Sequence, residues 1–270
     1  MSFLSNFISG LSLGSIYALI ALGYTMVYGI AKMLNFAHGD VIMVGAFAVI
    51  VTVNSLGLPA VVSVLASVLI CVLMGVTIEK IAYKPLRSSP PLSVLITAIG
   101  VSYFLQSLAL LIFGSTQKSF PKVFNMEPVN IGGLTVKGES IETLIVTTVI
   151  MVALTLFINK TKMGKAMRAV SEDRAAAELM GISVNRTITV TFAIGSALAS
   201  VAGIFFGATY GFLGVASVVV VSVPSFSALS ASSVAGVATS GVEVVVSCGI
   251  STSGTISSTA STLLTNGWSW

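Results

Sequence analysis

Charged residues are scarce in this chain. Asp, Glu, Lys and Arg together make up 8% of its 270 residues, whereas hydrophobic residues make up 55%. Soluble domains carry about 25% charged residues, so this composition excludes an ordinary soluble globular domain, in agreement with a mean hydropathy of +1.03. Because a membrane-spanning helix needs about 20 apolar residues, we predict an all-α polytopic membrane protein. We expect about eight transmembrane helices in a single domain, residues 1–270.

Cysteine and histidine are also rare, which argues against metal and redox chemistry. Cys71 and Cys248 both lie in apolar runs, and His38 is the only histidine. Isolated cysteines in such runs are usually buried small hydrophobes, so we expect no disulfide, metal site or cofactor. The sequence contains no GxxxxGK[ST] phosphate-binding loop, which argues against an ATPase site of its own. The net charge of +4 fits the loops of a membrane protein and does not require nucleic acid.

The apolar runs and the basic residues between them predict a topology. Six spans are expected at residues 7–31, 41–56, 60–81, 92–113, 141–158 and 188–212, and two further ones near residues 215–229 and 234–250. Lys and Arg in short loops mark the cytoplasmic side, which here includes Lys32, Lys80, Lys84, Arg87 and residues 160–187. The N-terminus is then periplasmic, residues 114–140 form an external loop, and no signal peptide is expected.

Small residues in two of the predicted spans indicate close helix packing. Gly10 and Gly14 form a GxxxG pair, and the sixth span contains Gly195, Gly203 and Gly207 among several alanines. Small side chains let helix backbones approach in lipid, and we interpret these positions as bundle contacts rather than ligand sites.

The segment NFAHGD at residues 35–40 places the only histidine beside a carboxylate between two apolar runs. Three interpretations remain open. Asn35 and Asp40 could cap helix ends around a break at Gly39. The segment could instead interrupt a helix that faces a translocation pathway, with Asn35, His38 and Asp40 along that pathway. Finally, His38 could act as a general base, although no partner nucleophile has suitable spacing.

Residues 160–187 carry six of the thirteen basic residues. Residues 166–180 are rich in helix formers and predict a short exposed helix, which Ser171 can cap with Glu172 and Asp173 in its first turn and which Gly181 can end. Charged side chains are expected to point outward, beside a small apolar stripe formed by Ala175, Ala176, Leu179 and Met180. Charge-rich connectors are usually only solvated loops, but the position of this one between spans also fits a docking surface.

Four separated motifs occur in order along the chain: GSIYALIALGYTMVYG at residues 14–29, NFAHGD at 35–40, Glu79 with AYKPLR at 82–87, and MGKAMRA at 163–169 with AELMGI at 177–182. They resemble the LivH-type permease subunits of bacterial branched-chain amino acid ABC importers. The AAAxxxG run at residues 175–181 is similar to the EAAxxxG loop of ABC importer permeases, with Ala175 in place of the leading Glu. The resemblance covers about residues 7–213.

This resemblance implies a function and a set of partners. The chain would be an inner-membrane permease, not an enzyme, that translocates leucine, isoleucine or valine. Its partners would be a second homologous permease, two cytoplasmic ATP-binding subunits and a periplasmic amino acid binding protein, in contact with membrane lipid and without nucleic acid. Residues 160–187 would be the coupling loop, with contacts to the ATPase from Arg168, Glu172, Asp173, Arg174, Ala175, Ala176, Glu178 and Gly181.

The region from residue 214 to 270 departs from the family pattern. Glu243 is the only charged residue after residue 215, and an isolated carboxylate in an apolar stretch often has a functional role, so Glu243 is a further candidate for the pathway. Alternative functions are a permease of the same family for urea or short-chain amides, a secondary transporter or channel, and an intramembrane enzyme.

Overall fold

The computed structural model describes residues 2–87, 89–121, 129–131, 134–136 and 138–215. The helices in these ranges are α1 (Ser2–Ala31), α2 (His38–Leu56), α3 (Ala60–Ile78), α4 (Pro91–Phe113), α5 (Gly138–Lys160), α6 (Lys162–Glu172), α7 (Arg174–Leu179) and α8 (Val184–Tyr210). A π-helical turn, Glu79–Tyr83, continues α3. Four short strands, β1 (Lys118–Ser119), β2 (Val129–Ile131), β3 (Leu134–Val136) and β4 (Phe212–Leu213), form two antiparallel pairs, β1 with β4 and β2 with β3.

The prediction of an all-α membrane protein is confirmed. Six helices are long and apolar enough to cross a membrane, namely α1, α2, α3 with its π turn, α4, α5 and α8. They coincide with the six spans predicted first, although four of them begin three to five residues earlier than expected, at Ser2, His38, Gly138 and Val184. Nearly all of the two further predicted spans lies outside the described residues, so the total of eight remains a prediction.

Glycine and proline set several helix ends. Gly57 follows α2 in the left-handed conformation, with φ of +62°, which glycine adopts at little cost. Pro59 then precedes α3, and α4 has a proline at its first position, where a missing N–H costs nothing. At the end of α8, Gly211 has φ of +71° and leads into β4.

One end of the bundle, which we call the basic end, gathers most of the positive charge. There α1 ends, α3 ends in the π turn, α4 begins, and α5 leads through α6 and α7 into α8. Two contacts join these termini: the Arg174 guanidinium donates to the carbonyl of Ala31, and Arg87 donates to the side chain of Asn185. The described Lys and Arg side chains near these termini are Lys32, Lys80, Lys84, Arg87, Lys160, Lys162, Lys165, Arg168, Arg174 and Arg186.

Helix α8 is the centre of the bundle and packs against α1, α2 and α3. Small residues make this packing possible. An added Cβ at Gly45 of α2 would lie 2.8 Å from the Cα of Ser200, and one at Gly195 of α8 would lie 2.7 Å from Val27. The hydroxyl of Ser67 on α3 donates to the Gly45 carbonyl at 2.6 Å and lies 2.9 Å from the Ser200 hydroxyl. Hydrogen bonds thus join α2, α3 and α8 in an apolar interior.

The packing predicted for small residues is confirmed on α8 but not on α1. Gly195, Gly203 and Gly207 each lie against a neighbouring element, whereas Gly10 and Gly14 have nothing within 4 Å of an added Cβ. In the part of the chain that the structure describes, the GxxxG pair of α1 is therefore not a helix contact.

We predict that Gly203→Ala lowers the stability of the protein by about 1–3 kcal/mol, because the new methyl group would overlap the backbone carbonyl of Ile42 and overpacking typically costs this much. Thermal unfolding of the purified chain in detergent would measure it. Gly14→Ala is the matched control and should leave the melting temperature unchanged or slightly higher. Equal melting temperatures for the two variants would contradict the close approach of α2 and α8.

Candidate functional site

Helix α2 begins inside the bundle rather than at its basic end. The chain turns after α1 at Lys32, which has a positive φ of 52°, and continues without helix to His38. The side chain of Asp40, in the first turn of α2, accepts a hydrogen bond of 2.5 Å from Ser102, which stands midway along α4 (Pro91–Phe113). The first turn of α2 therefore lies at about half the depth of a spanning helix, so α1 and α2 are separated by a re-entrant segment.

The predicted capping role of Asn35 and Asp40 is wrong. The N-cap of α2 is Ala37, which makes no side-chain cap, and Gly39 lies within the helix. Asn35 instead accepts a hydrogen bond of 3.1 Å from the Tyr83 hydroxyl, and Asp40 bonds to Ser102 as described. Both polar side chains are buried. Asn35 joins the segment before α2 to the π turn, and Asp40 joins α2 to α4.

His38 and Asp40 face different neighbours. The imidazole of His38 lies against α1, 3.0 Å from where a Cβ on Gly23 would be, and its ring stands edge-on to Tyr24 with 6.1 Å between ring centroids. Among the described residues, His38 Nε2 and the Tyr24 hydroxyl have no hydrogen-bond partner. Asp40 lies on the α4 side, where Gln106 donates to Ser102 at 3.0 Å and extends the polar strip. The structure thus separates the candidate pathway residues into two groups.

A buried ion pair at the basic end was not among the candidate site residues. Glu79, in the π turn, is fully buried and accepts hydrogen bonds from Arg87 and, at 2.9 Å, from Thr189 of α8. Arg87 also donates to Asn185. The carboxylate therefore ties the end of α3 to the first turns of α8. Burial lowers the pKa of the Arg87 guanidinium, and the charge of Glu79 opposes this effect.

The sequence did contain a signal for this pair. Glu79 is the only carboxylate in the third apolar run, and carboxylates at membrane depth are costly unless paired. Arg87 is eight residues further on, however, and side chains at that separation on a regular helix do not reach each other. The π turn and the bend that follows bring them together.

The charged segment between α5 and α8 folds as two short helices, whereas the sequence predicts a single short helix within residues 166–180, capped by Ser171. Thr161 caps α6 by accepting from the Gly164 amide at 3.0 Å. Asp173 ends α6 and caps α7 by accepting from the amides of Ala175 and Ala176, at 2.8 and 3.2 Å. Ser171 is not a cap, because it lies within α6 and its hydroxyl donates to the Arg168 carbonyl. Aspartate is a strong N-cap. The cap of α7, Asp173, lies two residues after Ser171, the cap that the sequence predicts.

Helix α7 has a root and a tip. Its root consists of Ala177, which is 3% exposed, and Arg174, which turns inward to the Ala31 carbonyl. The prediction that Arg174 points outward is therefore wrong. The tip projects from the basic end: Leu179 is 89% exposed and Met180 is 84% exposed, and Gly181 ends the turn with φ of +79°. The other predicted coupling residues, Arg168, Glu172, Asp173, Ala175, Ala176 and Glu178, are exposed as expected.

Comparison with known proteins agrees with this architecture. A family model described as "Branched-chain amino acid transport system / permease component" matches residues 6–266. The chain is 43% identical to the high-affinity branched-chain amino acid transport system permease protein LivH of Escherichia coli, 42% identical to LivH of Salmonella typhimurium and 40% identical to BraD of Pseudomonas aeruginosa. Each match covers 77% of this chain and 72% of the relative. No solved structure matches the chain.

The chain belongs to this permease family. It is therefore a multi-pass membrane transport component, as the four motifs and the six described spans indicated. The family match continues to residue 266, beyond residue 213, where the resemblance based on the four motifs ends. Glu243 falls in that additional stretch, outside the described residues.

Two of the four motifs of this permease contain the polar side chains that make these contacts, and another covers part of the segment with α6 and α7. Glu79 and Arg87 form the ion pair, Asn35 and Asp40 join α2 to its neighbours, and residues 163–169 and 177–182 belong to the segment that contains α6 and α7. The described site residues thus form two clusters. One lies at the start of α2, and the other lies at the basic end.

We predict that Ser102→Ala destabilises the permease by about 1–3 kcal/mol, because it leaves the buried carboxyl group of Asp40 without its hydroxyl donor. In an Asp40→Leu background the same substitution should cost much less, since no buried acceptor remains. Denaturation of the four proteins in detergent provides the comparison. An equal cost of Ser102→Ala in both backgrounds would show that the two side chains do not interact.

Proposed function

We propose that this chain is an inner-membrane permease subunit of a bacterial ABC importer that translocates leucine, isoleucine and valine. The observation that carries the proposal is the family match together with relatives at 40–43% identity that are named as branched-chain amino acid permeases. The chain contains no phosphate-binding loop of the GxxxxGK[ST] type, so ATP hydrolysis would take place on another subunit.

The partners we propose are those of an ABC importer. A second homologous permease would complete the channel, two ATP-binding subunits would dock at the basic end, and a periplasmic amino acid binding protein would deliver the substrate at the opposite end. In this orientation the basic end is cytoplasmic and the N-terminus of α1 is periplasmic. The concentration of lysine and arginine at one end supports it, because positive charge accumulates in short cytoplasmic loops.

We infer that α7 transmits the movement of the ATPase. An apolar tip of two exposed side chains, Leu179 and Met180, can enter a cleft on a partner. The charged side chains around this tip can determine how α7 is oriented in that cleft. At its root, Arg174 holds the carbonyl of Ala31, the last residue of α1. A displacement of α7 would therefore act directly on α1 and on the re-entrant segment that leads to α2.

We propose that the translocation pathway passes the Asp40 side of α2. Here Asp40, Ser102 and Gln106 form a polar strip that continues onto the half-buried surface of α4. The start of α2 carries the positive end of a helix dipole, and discontinuous helices use such ends for anionic substrate groups. A carboxylate and a helix start at the same depth complement the ammonium and carboxylate groups of an amino acid. Unchanged leucine uptake in Asp40→Asn would remove this assignment.

Uptake by the assembled transporter tests the proposed substrate. The chain would be expressed with its neighbouring transporter genes in a bacterium that lacks its own branched-chain uptake systems, and entry of labelled leucine would be measured. We expect ATP-dependent leucine uptake that unlabelled isoleucine and valine inhibit and that urea and acetamide do not. Uptake of the amides in place of leucine would contradict the proposed substrate, but it would still agree with an ABC importer permease.

We predict that the double variant Leu179→Ser/Met180→Ser reduces leucine uptake about tenfold or more, because buried apolar side chains at the centre of an interface typically contribute at least this much to binding. The amount of permease in the membrane should not change, since both side chains are exposed in the isolated chain. Uptake and membrane content are measured together.

The control for this prediction is Leu56→Ser, which removes a leucine 65% exposed at the opposite end of the bundle and should retain uptake. Arg174→Gln, a change at the root of α7, should keep ATPase binding but lower the leucine transported per ATP. If the tip variant binds its ATPase and transports as the unmodified protein does, α7 is not the coupling element.

A further inference from the structure

A pocket of about 410 Å³ lies at the basic end between α1 and the corner where α5 meets α6. This volume falls within the range of roughly 300–1,000 Å³ that is usual for ligand sites. Its deeper wall is apolar and includes Leu22 and Met26 of α1 and Leu154 of α5. Its outer wall is polar and includes Lys32, Arg168 and Glu172.

The pocket runs along the membrane normal. On α1 its lining extends from Leu22 to Lys32, a distance of about 15 Å at 1.5 Å per residue. This is about half of the 30 Å hydrocarbon core of a bilayer, or one leaflet. The apolar part of the pocket therefore lies at the depth of acyl chains, and the charged part lies at the depth of lipid headgroups on the same side.

The charges at its mouth favour an anion. Lys32 and Arg168 are exposed, and neither has an ion-pair partner among the described residues. With Glu172 the lining has one net positive charge, and Lys162 and Lys165 are exposed on the same helix as Arg168. Lys32 also has a left-handed backbone, with φ of 52°, which is unfavourable for a lysine. Strained conformations of this kind often accompany a function of the side chain.

We propose that this pocket binds one anionic phospholipid of the adjoining leaflet, with its phosphate between Lys32 and Arg168 and an acyl chain against Leu22, Met26 and Leu154. Basic pockets between transmembrane helices are known to hold anionic headgroups in this way. The lipid would contact both α1 and α6, and would join the start of the coupling segment to the first span. The proposal requires a membrane-spanning chain with this geometry and does not depend on which solute is transported.

Lipid binding to the assembled transporter, purified with its partner subunits, tests the proposal. Native mass spectrometry would count phosphatidylglycerol molecules retained by the complex, with phosphatidylcholine as the zwitterionic comparison. We expect one phosphatidylglycerol bound more tightly than any phosphatidylcholine. The variant Lys32→Gln/Arg168→Gln should weaken that binding about 10- to 30-fold, because each cation near a membrane surface strengthens attraction to anionic lipid severalfold.

Two further variants separate a pocket from general surface charge. Lys80→Gln/Lys84→Gln removes two exposed lysines elsewhere at the basic end and should leave the tightly bound lipid in place. Leu22→Trp fills the apolar wall, keeps every cation, and should displace the lipid. Three outcomes overturn the proposal: retention of the lipid in Leu22→Trp, equal loss in the two lysine-containing double variants, or equal binding of the two lipids by the unmodified transporter.

Discussion

The buried ion pair of Glu79 and Arg87 is the constraint around which the basic end of this permease is organised. A carboxylate with no exposed surface is costly unless its oxygens are bonded and its charge is balanced. Arg87 balances the charge of Glu79, and Thr189 donates to the second oxygen. Because Thr189 belongs to α8, the same carboxylate that ends α3 also fixes the start of α8.

The consequence of this arrangement is that the coupling segment, residues 160–187, is attached at two points. Asn185, near its C-terminal end, accepts a hydrogen bond from Arg87, and Arg174, in its middle, donates to the carbonyl of Ala31. Within this segment, all of which the structure describes, the tip of α7 extends from the bundle. A force on that tip would therefore reach α1 and α8, which pack against each other, without passing through a flexible loop.

The same logic applies in the membrane interior. Close approach at Gly45, Gly195 and Gly203 lets α8 lie at the centre of the described helices. A few hydrogen bonds then fix the positions of the neighbouring helices along it. Helix α4 is held to α2 by the Asp40 bond to Ser102 and by the stacked rings of Phe47 and Phe113, whose centroids are 4.6 Å apart. These two contacts join α4, much of which is exposed to its surroundings, to the buried helix α2.

The sequence predicted the elements of this structure better than their contacts. Long apolar runs determined the six described spans, since burial of their surfaces in lipid dominates every local preference. Glu79 and Arg87 were visible as motif residues, but their pairing depends on a π turn that has no clear sequence signature. Similarly, Asp40 resembled a helix cap, and its actual partner on α4 is 62 residues away. The helix break at Asp173 was missed because Ser171 and Asp173 are both good caps, and tertiary contacts decide between them.

A double-mutant cycle on Glu79 and Arg87 tests the central claim most directly. Unfolding free energies of the unmodified chain, Glu79→Gln, Arg87→Gln and the double variant would be measured in detergent. If the two side chains form the buried ion pair, the double variant should lose less stability than the sum of the single changes, with a coupling energy of about 1–3 kcal/mol. Additivity within about 0.5 kcal/mol would show that the two side chains act independently, and would contradict this account of the basic end.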